Sequence, residues 1–590
     1  MEKINHLEVY DRWMAEPSLD SGAKKELQKM KEDADEVYDA FYRDLDFGTA
    51  GLRGMMGPGT NRMNLPVIRR VTQGVSNYLK ACHGDAAVAI SYDSRQNSRL
   101  FAETVAATLS AGGIDVWMFS QIMPVPALSF VIRHLKCQMG IMITASHNAK
   151  EYNGYKVYGS DGAQILAHEA DAILKEIQEV PYFDTANAMT FEEALGRNCR
   201  FIPESVVETY FETVRQLSAG QSLSELNLVY TPLNGAGLWP VSQVLTRQGI
   251  SAFHVVPEQE KPDGTFPTCP NPNPELPEVY DFAIKLCDQV HGDLILATDP
   301  DSDRVGMAVK DPDDSASQTD HMRHGYRVLT GNEIAVLLLD FLVSRRKLPA
   351  SPVLIRTIVS TPLVDQIAKK IGGEVKTTLI GFKYIGDLLR ELEEQNQLDR
   401  FVFGFEEGNG FLAAPYVRDK DAVGTVLLLC EMAAFHKQNG TTLIQALADV
   451  YQRYGVYREK VISFVFEGAS GIQTMRSIME RFRDNQRALF AGRNPTKIVD
   501  YLEGKIHYLG SGGTGGKSCD MSVGTKPTNL PKENIMAFDY PNQTSFVIRP
   551  SGTEPKLKIY VFARGTQSAE TETRLSALEA EIKRFIEGGK

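Results

Sequence analysis

Three times along this chain a short apolar run, a turn, an amphipathic segment, a glycine stop and a second apolar run follow one another. That recurrence limits the possible folds more than any other feature. Residues 88–92, the turn Asp93-Ser94-Arg95, residues 100–109, Gly112-Gly113 and residues 114–119 form the first instance. Residues 226–230, the turn 231–237, residues 240–246, Gly249 and residues 252–256 form the second. The third runs from 353–358 through Ser360-Thr361-Pro362, a helix to Lys370 and Gly372-Gly373 to 375–379. Each instance predicts a strand–helix–strand crossover, hence mostly parallel or mixed sheets with helices on both faces. In the third, Thr361 is the expected N-cap and Pro362 occupies the first turn, where its missing N–H is harmless.

A chain of 590 residues is too long for one hydrophobic core, so several domains are expected. The pattern places them at 1–220, 221–347, 348–456 and 457–590. The last is a smaller α+β domain, with strands at 460–466, 544–549 and 557–563 and helices at 470–485 and 568–586. Residues 22–45 read as a solvated surface helix. The proline-dense stretch 262–277 reads as a long surface loop, and 345–352 as a linker. A net charge of -12 argues against a nucleic-acid or acidic-membrane partner. No apolar run approaches the length of a membrane span, and the expected location is the cytoplasm. Seven scattered cysteines, none in a Cys-x-x-Cys pair, predict neither a disulfide frame nor a thiolate metal site.

Chemistry-bearing residues gather in loops at the ends of apolar runs. The run 139–143 delivers Ser146 into a loop, with His147 beside it and Lys156 further on. A hydroxyl there is held by the sheet yet reachable by substrate, although a strand-end serine can also be no more than a cap. Residues 47–54 form a glycine-dense loop holding Arg53, whose guanidinium suits phosphate or carboxylate. Asp299, Asp301 and Asp303 follow the run 294–297 at a spacing of two, and acids this close repel unless a cation neutralises them; Mg²⁺ is the natural occupant. A calcium EF-hand is excluded, because Arg304 and Lys310 stand where that loop needs glycine and an acid. Glu406 and Glu407, between glycines, suit vicinal hydroxyls, since an ionised carboxylate only accepts; an exposed acidic turn explains them equally well. Lys420 is a proton-transfer group if its surroundings lower its pKa. Arg549, Ser551, Gly552 and Thr553 offer a fork, two hydroxyls and bare backbone N–H to a phosphate. The segment 510–518 imitates a nucleotide-binding P-loop, but Ser511 stands where that motif needs glycine.

The serine, triple-aspartate, Glu-Glu-Gly and Arg-Pro-Ser-Gly-Thr loops occur in that order, one per expected domain. In this combination the whole chain resembles the α-D-phosphohexomutase superfamily, which includes phosphoglucomutases and phosphomannomutases. The resemblance implies an α/β fold of four domains around a central cleft, three tandem α/β domains of shared topology plus the smaller α+β domain. It implies that Ser146 carries the phosphoryl group. One Mg²⁺ would be held by Asp299, Asp301, Asp303 and an oxygen on Ser146, with glucose 1,6-bisphosphate as intermediate and activator. Arg53, His147, Lys156 and Lys420 match positions that steer substrate or shuttle protons, and Arg304 would orient the site. Gly381, Phe382, Lys383, Glu406, Glu407 and Gly408 match loops that read the sugar, and Arg549, Ser551, Gly552 and Thr553 the site for the non-transferring phosphate.

The implied reaction interconverts glucose 1-phosphate and glucose 6-phosphate, with no obligate protein partner. A phosphopentomutase, a phosphomannomutase or a sugar-bisphosphate synthase would use the same residues. One departure bears on the choice: many relatives read Gly-Glu-x-Ser in the sugar loop, whereas here Phe405-Glu406-Glu407-Gly408 lacks the serine and Asn409 is the available substitute. A non-catalytic sugar-phosphate sensor is disfavoured by the intact Ser146 and aspartates. A phosphatase would require water at the phosphoserine.

Overall fold

The computed structural model describes residues 5–48, 51–183, 189–311, 321–466, 468–484, 494–509, 522–550 and 556–588. They form two compact units, Met1–Val353 with Gly381–Ile444, and Leu354–Ile380 with Gln445–Lys590. The first contains two six-stranded sheets. Strands β1 (Leu52–Met55), β2 (Ala87–Tyr92), β3 (Asp115–Met118), β4 (Met139–Ile143), β5 (Tyr152–Gly159) and β6 (Cys199–Phe201) lie in the order β1-β5-β4-β2-β3-β6. Strands β7 (Asn227–Thr231), β8 (Ala252–Val255), β9 (Leu294–Thr298), β10 (Val305–Lys310), β11 (Met322–Arg323) and β12 (Tyr326–Leu329) lie in the order β11-β12-β10-β9-β7-β8.

The two sheets share one plan. In each, a central strand pairs in parallel with two neighbours, and one of these neighbours turns back into an antiparallel strand: β4 into β5, β9 into β10. The third recurrence has the same element order, Val353–Thr357, helix Leu363–Lys370, Glu374–Thr378, helix Phe382–Glu394, then Phe401–Glu406 returning antiparallel as Gly410–Leu412. The turn at this return always follows the carboxyl end of a sheet strand, where open α/β sheets present functional groups. It carries Ser146 in the first recurrence, the aspartates in the second and Glu407 in the third.

Burial explains the apolar runs. Every residue of β4 and β9 is buried, as expected for strands covered on both faces. Gly140 in β4 lets the helix Val125–His134 approach closely; a Cβ there would lie 2.2 Å from Ile132 Cδ1.

Three local expectations are corrected. Residues 22–45 are not one solvated helix but two, Ser21–Met30 and Ala34–Phe41, the second capped by the Asp33 side chain. Their apolar faces bury Leu27, Met30, Val37 and Phe41 against Tyr10 and Trp13 of the helix His6–Ala15. The proline-dense stretch is irregular but not superficial: Phe266 and Cys269 are buried within it. Proline excludes regular hydrogen bonding, not burial. The helix after Ser360 starts at Leu363 with Pro362 at its cap position, and the Thr361 hydroxyl accepts from the Leu363 N–H at 3.4 Å.

The second unit holds a seven-stranded antiparallel sheet. Its order is Val456–Val465, Lys556–Gly565, Thr544–Pro550, Met536–Asp539, Lys497–Asp500, Lys505–Leu509 and Ser522–Pro527. With helices Gly468–Asp484 and Ser568–Glu587 it makes an α+β core around Phe482, Phe538, Phe546 and Ile582. The four strands between 497 and 539 were not anticipated. The P-loop imitation at 510–518 and Cys519 lie outside the described residues. The six described cysteines are free, and all but Cys82 are buried. Among the described residues no helix is long and apolar enough to cross a membrane.

Candidate active site

The β4–β5 return places Ser146 in a left-handed backbone conformation, φ 52°, which a non-glycine residue adopts only when its surroundings enforce it. Those surroundings are explicit. The Ser146 N–H donates to Thr144 Oγ1 (2.8 Å), and the Thr144 hydroxyl donates to Asp93 Oδ2 (2.6 Å). Arg95 Nη2 donates to the Ser146 carbonyl (2.6 Å). The Ser146 hydroxyl donates to Asp299 Oδ2 at 2.7 Å, and His147 Nδ1 lies 3.3 Å from Ser146 Oγ.

The β9–β10 return brings in the acids. Asp299, Asp301 and Asp303 are all buried, and one oxygen from each lies within 4.8 Å of the others. The Oδ1 atoms of Asp301 and Asp303 are buried without a hydrogen-bond partner. Burial, and then the neighbouring Asp301 and Asp303, push the Asp299 carboxyl well above its ordinary range. Burial also opposes ionisation of Asp301, but Lys156, the hydrogen bond with Asp299 and Lys420 together outweigh it and hold that carboxyl below the usual range. Three converging buried carboxylates, with Oδ1 of Asp301 and of Asp303 lacking donors, fit a divalent cation, which would relieve the repulsion.

Two lysines flank the acids. Lys156, on β5, reaches Asp301 Oδ2 (2.7 Å) and Asp303 Oδ2 (3.4 Å). Lys420 Nζ lies 3.1 Å from Asp303 Oδ2, 3.1 Å from Asp419 Oδ1 and 4.0 Å from Glu406 Oε1. Burial works against its charge, but Asp303, Asp419 and Glu406 prevail and raise its pKa. Its neighbours thus favour the charged form rather than lowering its pKa. Asp419 in turn accepts from Tyr158 OH and Gln164 Nε2, both at 3.0 Å.

The remaining loops of the first unit converge on the same place. Arg53, on β1 opposite Gly154, donates from Nη1 to Asn148 Oδ1 of the serine loop at 2.8 Å. Gly51 precedes it with φ 73°, and a Cβ there would lie 1.8 Å from the Tyr155 carbonyl oxygen. Arg304 pairs with Glu275 (2.9 Å), and its backbone bridges to Gly410 in the glutamate turn. Gly408 leaves space for that guanidinium, since a Cβ would stand 3.0 Å from Nη1. Glu406 is buried beside Lys420 and Arg304, and burial raises its pKa against their pull. Glu407 is half-buried at the turn. Gly381, at φ 118°, precedes the helix that sets the Phe382 ring 5.5 Å from Lys420 Nζ, while Lys383 Nζ lies over its neighbour Tyr384. In the second unit Arg549 sits on the strand Thr544–Pro550, with Nη2 3.5 Å from Tyr560 OH. Ser551, Gly552 and Thr553 lie outside the described residues, as do Thr49 and Ala50 of the Arg53 loop.

Sequence reasoning missed Asp93, Arg95, Thr144, Glu275 and Asp419. Asp93 and Arg95 follow a strand as the other loops do, and that position was their only signal.

Comparisons with known proteins agree with this geometry. Residues 44–182, 208–312 and 330–454 match alpha/beta/alpha domains I, II and III of the phosphoglucomutase/phosphomannomutase family. A phosphoglucomutase of Staphylococcus aureus (strain bovine RF122) is 34% identical over 548 residues, 92% of this chain and 94% of that protein. A phosphoglucomutase/phosphomannomutase family protein from Burkholderia thailandensis shares the fold, with a TM-score of 0.64 at 18% identity over 92% of this chain and 97% of that one. So does parafusin, a phosphoglucomutase from Paramecium, in its open form, with a TM-score of 0.64 at 17% identity over 92% and 95%. The chain belongs to the phosphoglucomutase/phosphomannomutase family and is a phosphosugar mutase of the α-D-phosphohexomutase superfamily.

Proposed function

We propose that this mutase interconverts α-D-glucose 1-phosphate and glucose 6-phosphate through a phosphoserine at Ser146 and a glucose 1,6-bisphosphate intermediate. The observation that carries the reading is the Ser146 hydroxyl, fixed on the aspartate cluster at 2.7 Å from Asp299. Relatives at 33–34% identity named phosphoglucomutase support the choice of glucose.

In the forward half-reaction the bond from phosphorus to Ser146 Oγ breaks and one to a sugar hydroxyl oxygen forms. The sugar loses its hydroxyl proton, and Ser146 regains one. The second half-reaction runs the same exchange in reverse at the other end of the sugar. Asp299, Asp301 and Asp303 would hold Mg²⁺, which, when bound, supplies positive charge beside the transferring group. Lys156 and Lys420, charged by their acidic neighbours, place further positive charge there. His147, in reach of Ser146 Oγ, and Arg53 are assigned to proton movement and substrate steering. Glu406 and Glu407 accept from sugar hydroxyls, with Gly381, Phe382 and Lys383 beside them and Arg304 orienting the site. Arg549 and the Ser551-Gly552-Thr553 loop take the phosphate that is not moving.

A substrate panel of glucose, mannose, ribose and N-acetylglucosamine phosphates with trace bisphosphate tests the specificity. Glucose phosphate should give the highest kcat/KM; a higher value for ribose or mannose phosphate would replace glucose in this reading.

A further inference from the structure

Arg95 lies outside the residues assigned above, yet it holds the serine loop by its backbone. Its side chain is buried, and its guanidinium donates to four backbone carbonyls of the β4–β5 return: Nη2 to Ser146 (2.6 Å) and to Asn148, Nη1 to Ala149 (2.9 Å) and to Tyr152 (3.0 Å). Asp93 Oδ2 balances its charge at 3.4 Å from Nε. The guanidinium carbon lies over the Phe266 ring, 5.0 Å from its centroid. Phe266 belongs to the proline-dense stretch that follows β8. It is fully buried at φ 43°, a conformation a bulky residue keeps only when its surroundings enforce it. The same stretch bridges Arg95 at Gly264 and accepts the Lys150 N–H at Pro270 O (3.1 Å). One planar fork thus clasps two strained residues, Ser146 and Phe266, from consecutive repeats.

We propose that Arg95, backed by Phe266, is a positioning residue for phosphoryl transfer: it fixes the left-handed turn that aims Ser146 Oγ at the aspartate cluster. The proposal rests on Ser146 being the phosphoryl carrier. An ammonium cannot span four carbonyls as the guanidinium fork does, so Arg95→Lys keeps the charge and loses the geometry.

The test measures kcat, KM, melting temperature and amide exchange of residues 144–152 in Arg95→Lys and Phe266→Leu. Arg95→Lys is expected to lower kcat about 100-fold with KM changed less than about threefold. Phe266→Leu should lower kcat roughly tenfold, and exchange in the serine loop should rise in both. A folded Arg95→Lys with wild-type kcat, or with its whole loss in KM, overturns the proposal. If Arg95→Lys does not fold, Phe266→Leu decides, and wild-type kcat with unchanged serine-loop exchange there overturns it. Ser146→Ala is run alongside. Turnover by that variant would refute the phosphoserine reading, whereas the exchange measurement would still report whether Arg95 holds the loop.

Discussion

Ser146 Oγ and Asp299 Oδ2 stand 2.7 Å apart, joined across two repeats by a single hydrogen bond. The loops that carry them are equivalent, the return from β4 into β5 and that from β9 into β10. A fold that repeats its topology presents the same kind of loop in successive sheets, and here one supplies a hydroxyl and the next an anionic cluster. Burial and the adjacent carboxylates raise the Asp299 pKa, so without a cation this acid competes for a proton that metal binding would release.

The aspartate cluster should therefore bind Mg²⁺ with a stability signature. Wild-type melting temperature is expected to rise with added Mg²⁺, because a ligand that binds only the folded state stabilises it. Asp301→Asn should shift that titration to roughly 10–100-fold higher metal. An unchanged titration would place the metal elsewhere.

Lys420 is held by packing as well as charge. At Gly410 a Cβ would lie 2.2 Å from Lys420 Cδ and 2.7 Å from Cγ, so Gly410→Ala must displace the side chain from Asp303 and Asp419. We expect kcat to fall roughly 10–100-fold at an overpacking cost of about 1–3 kcal/mol. Steady-state kinetics with a thermal melt reads both, and wild-type kcat would mean the placement of Lys420 does not matter.

Asp421 gives a pH dependence independent of the metal. It caps the helix Ala422–Gln438, accepting from the Gly424 N–H (2.9 Å) and the Tyr416 hydroxyl, and burial pushes its carboxyl up to about 6. The folded state binds this proton more tightly than the unfolded chain does. Its contribution is full below the ordinary carboxyl range and is lost as pH rises through about 6. At about 1.4 kcal/mol per tenfold in proton affinity, the loss is about 3 kcal/mol. Asp421→Asn keeps a cap and removes the proton, so urea unfolding at pH 4 and pH 7 should show the variant gaining on wild type at the higher pH. Equal slopes would contradict the burial argument.

The legible part of this molecule is what short-range physics writes into local sequence. Runs such as 139–143 and 294–297 announce buried strands because both faces are covered, and three acids at a spacing of two announce the loop in which the structure gathers one buried carboxylate cluster. Arg95 and Phe266 were illegible for the opposite reason: Arg95 meets the serine loop only once the first sheet has folded, Phe266 meets Arg95 only across two repeats, and neither has a periodic neighbour to betray it. Phe266 is buried despite the proline density around it, because proline excludes regular hydrogen bonding and not burial. In 22–45 the helical period was right, but the break at Asp33 and the partner helix His6–Ala15 lay beyond the pattern. The short strands Met536–Asp539 and Lys497–Asp500 depend on pairing with each other rather than on strong runs of their own.

Phosphorylation at Ser146 is the central claim, and mass spectrometry reads it directly. Incubation of the metal-loaded protein with glucose 1,6-bisphosphate should add one phosphoryl group, mapped to Ser146, and excess glucose 6-phosphate should remove it as bisphosphate forms. Turnover with no phosphate ever found on Ser146, or full turnover by Ser146→Ala, would contradict the account.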